Sequence, residues 1–262
     1  MTSSINNKQE ESVQKVGGVF SEPLISISEI FGPTIQGEGA LIGTQTIFVR
    51  TGGCDYRCSW CDTGYAVLPK YENDWKKMNA AEVFAKIEAL SNQQAMWITL
   101  SGGNPAQQDL EELITLGHSK DYKFSMETQG SIAKPWFALI DQLSLSPKPP
   151  STGMSFKKRG LDRCIDACES LENVSLKFVV ADKADLLWSK EIADQYPQLP
   201  CFVQPCNTSA KLEESNDEAQ AIPIDQQQQM LWLIDEVQKL EWNSARILPQ
   251  LHTWLWGDKT GV

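Results

Sequence analysis

Three cysteines crowd into eight residues, Cys54-Asp55-Tyr56-Arg57-Cys58-Ser59-Trp60-Cys61, a C-x3-C-x2-C pattern opened by Gly52-Gly53. That spacing is too tight for an ordinary disulfide framework, and in a chain without a secretion signal it reads as metal binding or redox chemistry. Thiolates are soft ligands suited to zinc or to iron–sulfur clusters. Short spacers let the three sulfurs serve one centre, and glycine lets the backbone turn tightly around it. Three ligands leave one iron of a [4Fe–4S] cluster without a protein donor, open to a small molecule. Zinc completed by a histidine is the competing reading. Only His118 and His252 could complete it, and both are distant in sequence with no metal-motif neighbour.

The rest of the chain must present that loop. Strand-like runs fall at Leu24–Ser28, Thr46–Arg50, Met96–Ser101, Lys123–Thr128, Gln142–Ser146, Leu176–Val180, Cys201–Gln204 and Ala245–Leu248. Helical patterns lie between them, at Ala80–Leu90 (with Asn79 as N-cap), Asp109–Leu116, Phe156–Leu171, Asp185–Asp194 and Asp225–Leu240. Strands alternating with helices predict an α/β fold with a mainly parallel sheet, open or curled toward a barrel. Segments rich in Gly and Pro follow several strands: Ser101-Gly102-Gly103-Asn104-Pro105, Glu127-Thr128-Gln129-Gly130, Ser146-Pro147-Lys148 and Gln204-Pro205-Cys206-Asn207. Singly these punctuate loops. Four together favour one shared site at the carboxyl ends of the strands.

With 262 residues the chain can bury one large core. Residues 1–22 read as a polar, disordered extension, residues 23–262 as a single domain, and residues 211–225 as an acidic insertion in it. No apolar run reaches the length of a spanning helix, so a soluble, cytoplasmic protein without a membrane partner is expected. A formal charge of −11 argues against nucleic acid, whose phosphates call for Lys and Arg.

The cysteine loop after a strand, with an aromatic before the last Cys, resembles the signature of radical S-adenosylmethionine enzymes. Gly102-Gly103-Asn104-Pro105 is similar to the superfamily's GGEP segment, with Asn104, a neutral amide, where the usual residue is Glu. A narrower resemblance rests on Phe31-Gly32-Pro33-Thr34-Ile35-Gln36-Gly37-Glu38-Gly39, Arg50, Asp62-Thr63 and Pro249-Gln250-Leu251-His252. Together these look like the 7-carboxy-7-deazaguanine synthase family, over about residues 25–262.

The resemblance implies a partial (β/α)6 barrel of the radical S-adenosylmethionine type, in a single domain. It implies a [4Fe–4S] cluster on Cys54, Cys58 and Cys61, whose open iron chelates S-adenosylmethionine. Gly103, Glu127, Ser146, Pro147, Lys148, Gln204, Pro205, Cys206 and Asn207 would surround that cofactor. The implied substrate is 6-carboxy-5,6,7,8-tetrahydropterin, which contracts with loss of ammonia to 7-carboxy-7-deazaguanine, a precursor of queuosine. Its ring would meet Ile35, Gln36, Gly37 and Ser101, and its carboxylate would meet Arg50. Thr63 would bind Mg2+, with Asp62 supporting it. An electron donor such as flavodoxin or ferredoxin and a homodimeric state are implied too. A glycyl-radical-enzyme activase is the rival within the superfamily, and a non-enzymatic zinc protein the rival outside it. Cys164 and Cys168, four apart, read as helix packing, and Cys201 as core; Trp254 and Trp256 would cover the site or meet a partner.

Overall fold

A computed structural model describes residues 23–207, 226–257, 259 and 261. The polar extension (1–22) and the acidic insertion (211–225) expected from the sequence lie outside the described residues. The described strands are β1 (Ile25–Ile35), β2 (Gln45–Thr51), β3 (Lys76–Met78), β4 (Trp97–Gly102), β5 (Lys123–Thr128), β6 (Gln142–Leu145), β7 (Val174–Val180), β8 (Cys201–Pro205) and β9 (Ala245–Ile247). They form one nine-stranded sheet in the order β3-β1-β2-β4-β5-β6-β7-β8-β9. From β2 to β9 every neighbouring pair is parallel, while β1 runs antiparallel to both β2 and β3. Six of the parallel strands, β2 and β4 to β8, correspond to the expected partial barrel.

The helices follow the expected alternation: α1 (Gly64–Val67), α2 (Ala80–Leu90), α3 (Glu111–His118), α4 (Lys158–Asp166), α5 (Lys183–Ala193), α6 (Gln226–Lys239) and α7 (Leu251–Trp256). α2 starts where the Asn79 side chain accepts from the Glu82 amide and the Glu82 carboxylate accepts from the Asn79 amide, a full capping box. Its buried face, Val83, Phe84 and Ile87, packs into the common core with Phe124 and Leu113. One expected helix is shorter in the structure, and one crossover has no α-helix. The helix expected over Phe156–Leu171 stops at Asp166, and the β5–β6 crossover is only a 3-10 segment, Pro135–Leu139. Pro135 sets the fixed φ that suits the first turn of such a segment.

β7 is buried along its whole length, as a central strand covered on both faces must be. Where polar side chains enter the sheet they satisfy one another. The Thr46 hydroxyl lies 2.9 Å from that of Thr99, which lies 3.0 Å from that of Ser125, a chain across β2, β4 and β5. β1 sets the other boundary. Ile35 pairs with Gln45 at the start of β2, whereas the cysteine loop leaves the far end of β2. The two segments therefore adjoin opposite ends of that strand.

Because the α2 cap is remote from the cysteine loop, Asn79→Ala should cost about 1 kcal/mol, lowering Tm by about 2–4 °C. Iron content should not change. Thermal melts and an iron assay on the same samples check both.

Candidate functional site

The cysteine loop is fixed to the sheet by backbone contacts. The Gly53 carbonyl accepts the Asn104 amide at 2.8 Å, the Thr51 carbonyl accepts the Gly103 amide at 3.0 Å, and the Gly53 amide donates to the Ala66 carbonyl at 2.8 Å. A Cβ on Gly103 would fall 2.0 Å from the Gly53 carbonyl oxygen. The glycine expected to let a cofactor approach is thus required first for the meeting of two strand ends. Gly53 itself, at φ +98°, takes a conformation that side-chain-bearing residues rarely adopt.

Asn104 belongs to the same seam. Its amide nitrogen donates to Asp55 Oδ1 at 2.8 Å and to Ser131 Oγ at 3.2 Å. Its oxygen accepts from Thr128 Oγ1 at 2.8 Å and from the Ala106 amide at 3.2 Å. All four hydrogen-bonding positions of the amide are taken within the chain. Asp55 also accepts from Gln129 at 2.6 Å, so the loop is tied to the end of β5 as well.

One cavity of about 600 Å3 gathers Cys54, Cys58, Cys61 and Thr63 with Ile35, Gln36, Gly37, Arg50 and Ser101. Gly103, Glu127, Ser146, Lys148, Cys206 and Asn207 line it too. Of the residues expected at the site, Pro147, Gln204 and Pro205 are the ones absent from that wall. Gln204 is wholly buried, and neither its amide nitrogen nor its amide oxygen finds a partner among the described residues.

Burial raises the thiols of Cys54, Cys58 and Cys61, with Cys58 pushed up to about 11, while the Lys148 ammonium opposes the shift at each. Among the described residues, no three Cys, His, Asp or Glu side chains close on a single-ion point. A cluster asks for no such point, since its thiolates bind separate irons. Three cavity-lining thiols beside a lysine fit that group. The Thr63 hydroxyl lies 3.6 Å from the Cys61 sulfur. Cys164 and Cys201 lie in the core and Cys168 packs against it. Cys164 and Cys201 are pushed up to about 12 and Cys168 to about 11, all by burial, and Cys164 and Cys168 make their hydrogen bonds to backbone carbonyls.

Arg50 makes a 2.7 Å ion pair from Nε to Glu29 Oε1, which also accepts the Tyr65 hydroxyl at 2.6 Å. Its guanidinium carbon lies 5.7 Å from the Phe31 ring centroid and 5.9 Å from that of Tyr65. Burial disfavours the charge, but Tyr65, Glu29 and Asp62 outweigh it and hold the guanidinium ionised. Its two Nη groups make no hydrogen bond among the described residues. Glu127 is no solvent-facing loop carboxylate: it accepts from Gln36 Nε2 at 3.1 Å and from Lys177 Nζ at 3.0 Å.

The sequence reading missed Glu29, Tyr65 and Lys177 at this site, and gave no role to Glu38, Gln250 or His252. Lys177 had a signal: it is the only charged residue in a strand that reads Val-Ser-Leu-Lys-Phe-Val-Val. Glu38, Gln250 and His252 lay inside motifs already singled out. The Leu251 amide bonds the Gly37 carbonyl at 3.0 Å, and a Cβ on Gly37 would meet His252 Nδ1 at 2.4 Å, so the last motif packs directly on the first. Trp254, expected to cover the site or meet a partner, stands exposed on α7, while its neighbours His252 and Thr253 line the cavity.

The chain is similar to known proteins over most of its length. Residues 35–132 match the model of a 4Fe-4S single cluster domain. The 7-carboxy-7-deazaguanine synthase of Bacillus subtilis is 39% identical over 243 residues, covering 91% of this chain and 98% of the relative. That of Bacillus cereus is 37% identical over 242 residues, covering 91% and 99%. Among solved structures, QueE from Escherichia coli has the same fold at a TM-score of 0.62 and 19% identity, covering 87% of this chain and 95% of the other.

With each thiolate on a different iron of a cluster, replacing Cys54, Cys58 or Cys61 with Ala should remove most of the iron. Cys164→Ala or Cys168→Ala should leave iron content nearly intact. Iron analysis of anaerobically purified variants checks both, and loss of iron in the second pair would contradict the ligand assignment.

Proposed function

The chain belongs to the 7-carboxy-7-deazaguanine synthase family, and we propose that its cavity converts 6-carboxy-5,6,7,8-tetrahydropterin to 7-carboxy-7-deazaguanine with loss of ammonia. It is a radical S-adenosylmethionine enzyme with an iron–sulfur cluster, acting on a small molecule. The observation that carries the reading is a single cavity joining the three thiols to Arg50 and to the Gln36–Glu127 contact.

Each wall has a task. Cys54, Cys58 and Cys61 hold the cluster. With S-adenosylmethionine bound, that pair supplies the carbon radical that starts the ring contraction. Arg50 receives the substrate carboxylate through its two Nη groups, while Glu29, Tyr65 and Phe31 fix the guanidinium plane. Ile35, Gln36, Gly37 and Ser101 hold the ring. Thr63 gives its hydroxyl to Mg2+, an ion that prefers oxygen donors and keeps several waters. Gly103, Ser146 to Lys148 and Gln204 to Asn207 surround S-adenosylmethionine. Glu127 has acceptor capacity left for ribose hydroxyls after Gln36 and Lys177 are served.

A flavodoxin or ferredoxin delivers the electron, and the enzyme works as a homodimer in the cytoplasm. Twofold dimers are the commonest assemblies, and Leu231, Trp254 and Leu255 are exposed apolar side chains on α6 and α7. No helix among the described residues is long and apolar enough to cross a membrane.

The test is anaerobic turnover with the carboxylated pterin, S-adenosylmethionine and a reductant. Product absorbance with methionine release is expected; S-adenosylmethionine cleavage that leaves the pterin untouched would overturn the substrate assignment. In the same assay Arg50→Lys, which keeps the charge and loses the two-pronged geometry, should raise KM roughly tenfold or more. Thr63→Val should blunt the response to added Mg2+ while iron content stays at the wild-type level. An unchanged KM, or an unchanged Mg2+ response, would remove the residue concerned from the site.

A further inference from the structure

One buried cation of the cavity wall, Lys177, has no task in the scheme above. Lys177 lies in β7 with its side chain only 4% exposed. A lysine is kept this far from water only where it is paired. Its ammonium is held between two carboxylates, Glu127 Oε2 at 3.0 Å and Glu38 Oε2 on the other side. The remaining oxygen of Glu38 accepts from Gln250 Nε2 at 2.7 Å, and that of Glu127 from Gln36 Nε2 at 3.1 Å. Gln250 Oε1 in turn accepts the Asn207 amide at 3.1 Å. The network therefore runs from Gln36, expected at the substrate, through Glu127, Lys177, Glu38 and Gln250 to Asn207, expected with Glu127 at S-adenosylmethionine.

Two glutamates and one lysine leave this cluster one negative charge in excess (−2 + 1 = −1). Burial works against the Lys177 charge, but Glu127 and Glu38 outweigh it and raise its pKa. Burial likewise works against Glu38, yet Lys177, and after it His252, hold that carboxyl well below the usual range.

We infer that Lys177 is a positioning residue: its ammonium keeps Glu38 and Glu127 ionised together, as fixed acceptors on two walls of one cavity. The inference rests on the reading that this cavity binds the pterin beside S-adenosylmethionine. Without the ammonium, two part-buried carboxylates that shared one cation repel each other, and the pair holds a proton to higher pH. A protonated carboxyl then presents a donor where the bound molecule needs an acceptor. Raising the pH removes that proton, so binding to a variant lacking the cation should recover toward the wild-type value.

The test measures pterin Kd by equilibrium dialysis on anaerobic, unreduced holoenzyme with S-adenosylmethionine present, where no turnover occurs. Lys177→Met should bind about tenfold or more weakly than wild type at pH 6.5, with the ratio shrinking severalfold by pH 8.5. Lys177→Arg, which keeps the charge, should show a constant ratio. His252 also faces Glu38, and Lys177→Arg reports any pH effect that does not come from losing the Lys177 charge. A Lys177→Met ratio that is unity, or equal at both pH values, overturns the inference. If Lys177→Met fails to take up its cluster, adding Glu38→Gln should relieve the repulsion and restore it; failure of that rescue assigns Lys177 to packing and overturns the inference too. A wild type that binds S-adenosylmethionine but not the pterin would refute the substrate assignment instead. The pH contrast in the S-adenosylmethionine Kd then decides the role of Lys177.

Discussion

The Gly53 carbonyl accepts the Asn104 amide at 2.8 Å across a contact too close for any side chain on Gly103. On the other flank Trp75 packs so tightly on Gly52 that a Cβ there would lie 2.3 Å from its ring. Those constraints hold the carboxyl ends of β2 and β4 together and fix where the cysteine loop leaves the sheet. Asn104 then commits every hydrogen bond it has to the same seam, through Asp55, Ser131, Thr128 and Ala106. A glutamate there would carry no amide donor for Asp55 and would set two carboxylates face to face. The change from the superfamily's usual residue therefore stiffens the loop by bonding its Asp55 from below.

Charge is organised locally rather than globally. The chain is acidic overall at −11, yet the cavity holds Arg50, Lys148 and Lys177. Each has its own partner: Glu29 for Arg50, the Ser146 hydroxyl for Lys148, and the two glutamates for Lys177. Buried ions of this kind contribute little net stability and much geometric definition, because removing either partner leaves an uncompensated charge. The arrangement suits an anionic small molecule at the Arg50 end and donor-bearing groups at the glutamate end.

Much of this was legible in the sequence because the physics is local. The cysteine spacing, the glycines, the Asn79 cap and the alternation of strand and helix each carry their own signal. What stayed hidden is set by contacts between distant segments. β3 has three residues and exists by pairing with β1, so no period marks it. Glu29 gains its role from Arg50, 21 residues away, and Glu38 from Lys177, 139 residues away. Such pairings are invisible to patterning until the sheet brings them together. A charged residue in a strand that is otherwise free of charge, as at Lys177, is the signal that points to such a buried partner.

The account stands on a cluster held by three thiolates with one iron left open to S-adenosylmethionine. Electron paramagnetic resonance of the reduced protein, recorded with and without S-adenosylmethionine, tests that most directly. The expected result is the signal of a reduced [4Fe–4S] cluster that changes shape when S-adenosylmethionine is added. A reduced-cluster signal indifferent to S-adenosylmethionine, or colourless protein carrying zinc and giving no signal, would contradict it.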